Sequence, residues 1–332
     1  MPTKYWIAAA LPLASCFLPA GAVEIGVSAG SSNAAASGSY SWQIEYRQRL
    51  AANSGLSFEY LNEGHLQGHH RDGAALELWA DAPPWRNRYR LSFGVGPYLY
   101  CDTRAADSPL GFSDSHGLGA AVTASFGWYW RSNWFTRLSL SEIRAPGDID
   151  TTMLVIGFGY REHASFEWED PTGAAPPGLA APEVRNELGV FIGQTVVNSF
   201  NSPKSAAYGL EYRRGFGPHF ELSGAWLSEG DVAGGRRHSG LMSEVWLMQP
   251  LLHGVASVGI GAGPYLALRS YRAEDRSSGA RVSGVGSMTV SWRLHGPLMA
   301  RAEWHRGFTH DDQDRDVVSL GVSWVWDRDG SR

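Results

Sequence analysis

The chain has 332 residues, 43% apolar and 18% charged, with 28 Lys and Arg against 33 Asp and Glu and a formal net charge of −5. That apolar share excludes a disordered chain, and the 40 glycines follow no three-residue period, which excludes collagen. The acidic balance gives no electrostatic reason to expect a nucleic acid partner.

Residues 1–22 read as a secretory signal peptide. Lys4 supplies a positive start, Tyr5 to Leu18 an apolar stretch, and Ala20-Gly21-Ala22 a small-residue cleavage site before Val23. A second reading takes Leu13-Ala14-Ser15-Cys16 as a lipobox that leaves Cys16 lipidated, although the following residues stay apolar where lipoproteins usually turn polar. Both readings export the chain. Cys101 is the other cysteine, so a chain cleaved after Ala22 forms no internal disulfide. Past the leader, no apolar run approaches the roughly 18 residues of a spanning helix.

Eight strand-like segments follow, at about 23–31, 40–50, 55–62, 73–82, 87–100, 117–130, 133–143 and 151–161. Residues 162–185 form a Pro/Ala-rich linker containing Ala174-Ala175-Pro176-Pro177. Eight more segments come next, at about 187–196, 205–216, 218–228, 240–250, 254–268, 281–294, 297–307 and 316–327, with 328–332 as a tail. The two sets are copies of one module. Ile44-Glu45-Tyr46-Arg47 returns 166 residues later as Leu210-Glu211-Tyr212-Arg213, and Leu61-Asn62-Glu63-Gly64 returns as Leu227-Ser228-Glu229-Gly230. Glu77-Leu78-Trp79 returns as Glu244-Val245-Trp246, and Gly94-Val95-Gly96-Pro97-Tyr98-Leu99 as Gly261-Ala262-Gly263-Pro264-Tyr265-Leu266, both 167 residues on. Arg137 pairs with Arg301 at a spacing of 164.

Most segments alternate with period two. Trp42, Ile44 and Tyr46 interleave with Gln43, Glu45 and Arg47, which puts the apolar set on one face and the polar set on the other. A soluble sandwich and a membrane barrel share that pattern. Three features favour the barrel: strands near ten residues long, Trp and Tyr gathered near strand ends (Trp85, Tyr98, Tyr100, Trp128, Trp130, Trp134, Trp324, Trp326), and ion-pairable residues on the polar face of both copies. Charges at alternate positions are costly in lipid but can pair inside a narrow lumen. The expected fold is all-β, an antiparallel transmembrane β-barrel.

On these residues the chain resembles the small eight-stranded outer-membrane barrels, the group holding the OmpA membrane domain and the lipid A deacylase PagL. Each copy also ends on an aromatic-rich strand, Ile156-Gly157-Phe158-Gly159-Tyr160 and Leu320-Gly321-Val322-Ser323-Trp324-Val325-Trp326. In that group the barrel assembly machinery reads such an ending. The resemblance implies a bacterial outer-membrane location among lipid and lipopolysaccharide. The deacylase's His-x-Ser-Asn signature is missing, since Ser31-Ser32-Asn33 lacks the histidine, so that activity is not carried over. Closure has two solutions, two tandem eight-stranded barrels or one sixteen-stranded barrel with a channel suited to polysaccharide export. The long linker and the two closing strands favour two barrels.

Long polar loops are expected outside, in the first copy at 32–39, 62–73, 101–116 and 144–150. Glu63, His65, His69, His70 and Asp72 form a candidate catalytic set, a general acid/base constellation for lipid A or surface polysaccharide. Asn62, Arg71, Asp102, Thr103 and His116 are candidate binding residues for a glycan or lipid head group. The same histidines and acids have the donor chemistry of a divalent-metal site, while the sequence identifies no metal or cofactor. The plainer reading is a hydrophilic loop surface. In the second copy His65 becomes Asp231 and the His69-His70 pair has no clean equivalent, so a site of this kind belongs to the first copy.

Overall fold

A computed structural model of the chain describes residues 22–34, 37–66, 68–106, 111–130, 133–162, 184–231, 237–269, 282–309 and 314–327. The expected signal peptide up to residue 21, the linker at 163–183 and the tail at 328–332 lie outside them. The first copy forms β1 (Val23–Ala34), β2 (Ser37–Ala51), β3 (Ser54–Leu66), β4 (His69–Asp81), β5 (Tyr89–Ala105), β6 (Phe112–Tyr129), β7 (Trp134–Arg144) and β8 (Thr151–Glu162). The second forms β9 (Val184–Val197), β10 (Lys204–Phe216), β11 (Phe220–Asp231), β12 (Arg237–Leu251), β13 (Ala256–Arg269), β14 (Val282–His295), β15 (Leu298–Phe308) and β16 (Arg315–Asp327).

Each set is a closed antiparallel barrel. β8 returns to β1 with Phe158 opposite Val27, and β16 returns to β9 with Val322 opposite Val190. The sixteen-stranded alternative is therefore overturned. The physical reason is that each copy satisfies its own edge strands, leaving no open ladder to share with the other.

The alternation resolves into an inverted distribution of polarity. Ile156, Ile192 and Phe93 on outward positions are 62%, 67% and 61% exposed, whereas Glu63, Glu77 and Arg71 on inward positions are 0% exposed. Apolar side chains thus cover the outside of each barrel, and the buried charges inside pair with one another. In the first barrel Arg137 bridges Glu24 and Glu45, while Arg47 and Ser92 both reach Asp81, at 2.5 and 2.6 Å. In the second, Arg213 contacts Glu211, Glu221 and Glu303, and Arg301 grips Glu187 at 2.6 Å through both carboxylate oxygens.

One interior unit is repeated almost atom for atom. Trp79 Nε1 donates to Ser57 Oγ at 2.7 Å with the Arg47 guanidinium 4.2 Å above the ring; Trp246 Nε1 donates to Ser223 Oγ at 3.0 Å with Arg213 at 3.7 Å. The indole has somewhere to lie because Gly94 and Gly261 face it, and a Cβ at either would stand 2.8 or 2.6 Å from ring carbon.

Aromatics gather at the end of the first barrel where its chain enters and leaves. Trp134 stacks on Phe158 at 4.8 Å and meets Tyr160 edge-on at 5.2 Å, and Trp85, Tyr89, Phe126, Trp128 and Trp130 extend the group across β5 and β6. The opposite ends differ from the expected loops. Residues 62–66 and 69–73 continue β3 and β4, and 101–105 and 112–116 continue β5 and β6. At about 3.4 Å per residue and a tilt near 40°, the 18 residues of β6 rise about 45 Å, well beyond a hydrocarbon layer of about 30 Å. Above such a layer both faces of a hairpin can be polar, so alternation stops while the hydrogen-bond ladder continues.

Candidate functional site

At the rim of the first barrel opposite its chain ends, His65 and His70 form one group and Glu63, His69, Arg71 and Asp102 another, while Asn62, Asp72, Thr103 and His116 belong to neither. Period two explains the split, because neighbouring residues on one strand face opposite ways. Arg71, Gly73, Ala75 and Glu77 are inward positions of β4, so His69 continues the inward row and His70 the outward one.

The outward group is His65 and His70 with Tyr40. The two imidazoles stack with centroids 4.1 Å apart and an 11° interplanar angle, Tyr40 Oη lies 3.2 Å from His65 Nδ1, and the His65 amide donates to Ser39 Oγ at 2.8 Å. A bulge in β3 places His65 there. Register slips between Asn62 and His65, with Gly64 at φ 73° and its amide donating to Asn62 Oδ1 at 3.0 Å. A Cβ on Gly64 would stand 2.1 Å from the Tyr40 carbonyl oxygen, so this position excludes any larger residue. Gly230 repeats the geometry at φ 74°.

The inward group centres on Glu63. Arg71 donates to it through Nε at 2.8 Å and Nη2 at 2.6 Å, Tyr98 Oη donates at 2.7 Å, and the Thr151 hydroxyl donates to the same carboxylate. Arg71 also reaches the Ile149 carbonyl at 2.5 Å. The carboxylate oxygens of Glu63 are thus committed to β4, β5 and β8. Beneath them lies an apolar layer that includes Leu61, Ala121, Ile143 and Met153.

Above Glu63, His69 Nδ1 lies 2.7 Å from Asp102 Oδ2 and 3.6 Å from Asp148 Oδ1. Asp148 ends a turn with Pro146 and Gly147 at its centre, closed by its own amide donating to Ala145 O at 2.9 Å. Outside this turn Arg144 hydrogen-bonds Asp150 at 2.6 Å and holds that carboxyl below the ordinary aspartate range. Thr103 donates to Asp114 at 2.8 Å, Asp72 is buried opposite Asn62 in the β3–β4 register, and His116 is half-buried on β6.

Three contributors are not among the candidate site residues of the sequence: Tyr98, Thr151 and Asp148. Tyr98, expected with Tyr100 among the girdle aromatics, is instead buried with it on the inward face of β5, because period two puts both in the row of Ser92 and Gly94; Thr151 opens a strand, and Asp148 belongs to the shortest expected loop. Only barrel closure, which lets β5, β8 and the β7–β8 turn look into the space beside β3 and β4, brings them to the histidine and the glutamate.

The second barrel holds a variant of the inward group. Tyr265 Oη donates to Glu229 at 2.5 Å, His238 Nδ1 lies 2.8 Å from it, and Arg315 Nη1 donates at 3.0 Å. Beside them is a cavity of about 20 Å³ lined in part by His305, Arg315 and Tyr265, room for about one water.

No family model matches the chain, and no curated protein does. Among solved structures, it is similar to the N-terminal β-barrel domain of Pseudomonas aeruginosa OprF, at 17% identity over 42% of this chain and 97% of that one, with a TM-score of 0.35. Neisserial surface protein A matches at 10% identity over 42% and 97%, TM-score 0.36, and Yersinia pestis outer membrane protein Ail at 14% over 42% and 99%, TM-score 0.30.

Proposed function

We propose that the chain is an outer-membrane protein made of two non-conducting barrels, and that the extended rim of the first one contacts lipopolysaccharide or envelope glycan. The observation that carries this reading is the inverted polarity. A water-facing wall of Val, Leu, Ile, Phe and Trp on nearly every outward position far exceeds the few hundred Å² that soluble monomers expose, whereas it suits acyl chains. Aromatic girdles at the chain-end rim fit the interface on that side. Full burial of Tyr98, Glu77 and Met153 inside the first barrel, and a cavity of one-water size inside the second, support filled lumens. The closing strands β8 and β16, with Ile156 and Phe158 or Leu320, Trp324 and Trp326 outward, suit recognition by the barrel assembly machinery.

The test is fractionation with outer membranes, faster migration on gels when unboiled, and the absence of stepwise conductance in planar bilayers. Recovery in the soluble periplasm overturns the location, and defined single-channel steps overturn the filled lumens. Enzymatic modification of lipid A is the second reading, and its carboxylate Glu63 is buried and held by Arg71, Tyr98 and Thr151. Unchanged lipid A mass spectra on gene deletion remove that reading.

A further inference from the structure

We propose that His69, Asp102 and Asp148 form a divalent-cation site at the rim of the first barrel, of the kind that takes zinc. The three donors come from the start of β4, the upper part of β5 and the β7–β8 turn, and their ligand atoms all lie within 4.8 Å of one another. Donors about 2.0–2.2 Å from a shared ion at angles of 90–110° stand roughly 2.8–3.6 Å apart. The His69 Nδ1 distance of 3.6 Å to Asp148 Oδ1 lies at the upper end of that range, and the 2.7 Å to Asp102 Oδ2 lies just below its lower end.

The competing arrangement is a histidine hydrogen-bonded to one carboxylate, and geometry separates the two. One Nδ1–H serves Asp102, and Asp148 Oδ1 is beyond hydrogen-bond reach of the same nitrogen; it accepts from the Ile149 amide at 2.7 Å and faces Arg71 Nη1 at 3.9 Å. The site sets two carboxylates, Asp102 and Asp148, against one imidazole, and Arg71 Nη1 stands 3.9 Å from Asp148 while its Nη2 is held by Glu63. The Asp102 and Asp148 side chains are fully buried, where water screens charge little and a cation between two carboxylates is held strongly.

The donor chemistry selects the ion. One imidazole nitrogen with carboxylate oxygens suits zinc and neighbouring first-row divalent ions, whereas magnesium and calcium prefer all-oxygen shells. His69 is the most exposed of the three, with 21% of its side chain accessible, which leaves a solvent side where water completes the coordination. Arg71 ties this site to Glu63, acting as a neighbour that fixes carboxylate positions rather than as a ligand.

This inference rests on the barrel geometry and not on the proposed location. The experiment is calorimetric titration of zinc chloride into the chelator-stripped full-length protein folded in detergent micelles. One zinc per chain is expected, weakened at least tenfold in H69Q and in D148N, each checked for folding by unboiled gel migration. D102N is the third variant should either misfold. H65N/H70N, which removes the stacked outer pair, is expected to leave affinity unchanged. Absence of zinc uptake, or uptake lost in H65N/H70N and retained in H69Q, overturns the proposal. Neither result bears on whether the barrels enter membranes.

Discussion

Arg71 on β4 and Arg315 on β16 clamp equivalent glutamates from strands that are not equivalent. Counted through the repeat, Arg71 corresponds to His238 at 167 residues and Arg315 to Thr151 at 164. The guanidinium has moved to another strand, while the glutamate and its tyrosine, Tyr98 or Tyr265, have stayed. A buried carboxylate needs a cation, but in an eight-stranded lumen several strands face the same point, so the requirement constrains the pair and not the position.

That logic predicts an asymmetric mutant pair. R71M leaves the Glu63 carboxyl buried beside Tyr98 without its guanidinium and is expected to destabilise the first barrel by about 3–5 kcal/mol. E63Q/R71M removes both charges and should recover a good part of the loss. Guanidinium unfolding in micelles, followed by Trp fluorescence, measures both, and a double variant no more stable than R71M contradicts the pairing argument.

The bulge at Gly64 supplies a second expectation. With φ at 73° and the Tyr40 carbonyl in the way of any Cβ, G64A combines left-handed strain with displacement of β2, at a cost of about 2–4 kcal/mol. Alanine at Gly224, where nothing lies within 4 Å of the added carbon, is the control and should change stability little. Equal losses at the two positions would count against the close approach of β2 and β3.

The repeated Ser–Trp–Arg unit is testable as a coupled group. W79F deletes the donor to Ser57 and part of the ring face under Arg47, which should cost about 1–3 kcal/mol. Adding S57A to W79F should then cost less than S57A alone, giving a coupling near 1 kcal/mol in a double-mutant cycle. W246F with S223A repeats the measurement in the second barrel, and strict additivity in both would mean the hydrogen bond is energetically idle.

The fold was readable because its signal is periodic. Ile44 against Glu45, and the return of that pair as Leu210 and Glu211, report both the faces and the duplication. The site was readable only in part, for two physical reasons. Above the apolar belt both faces of a hairpin are polar, so 62–73 loses its alternation and looks like loop; taken as loop, it hides that His69 and His70 must diverge. Long-range convergence leaves even less trace. Nothing local to Asp148 announces that closing the barrel will set it 3.6 Å from His69, and nothing near Arg315 announces that it replaces a cation supplied by another strand.

The polarity of the outer wall gives the last prediction and the sharpest contrast between environments. Ile156 lies mid-way along β8 and Ile192 mid-way along β9, both outward and more than 60% exposed. If that wall met water, I156R or I192R would place a charge in solvent and change stability by at most about 0.5 kcal/mol. Against hydrocarbon, the same arginine must snorkel or draw water into the layer, which costs about 2–4 kcal/mol near the mid-plane and about 0–1 near its edges. The penalty should therefore depend on position: large for I156R and I192R, small for arginine at Trp134, which sits in the aromatic group at the strand end. Folding equilibria in phospholipid vesicles, titrated with urea, read this profile directly. A flat profile across the three positions, or losses that vanish in every lipid composition, would mean that the apolar wall is not in contact with a bilayer.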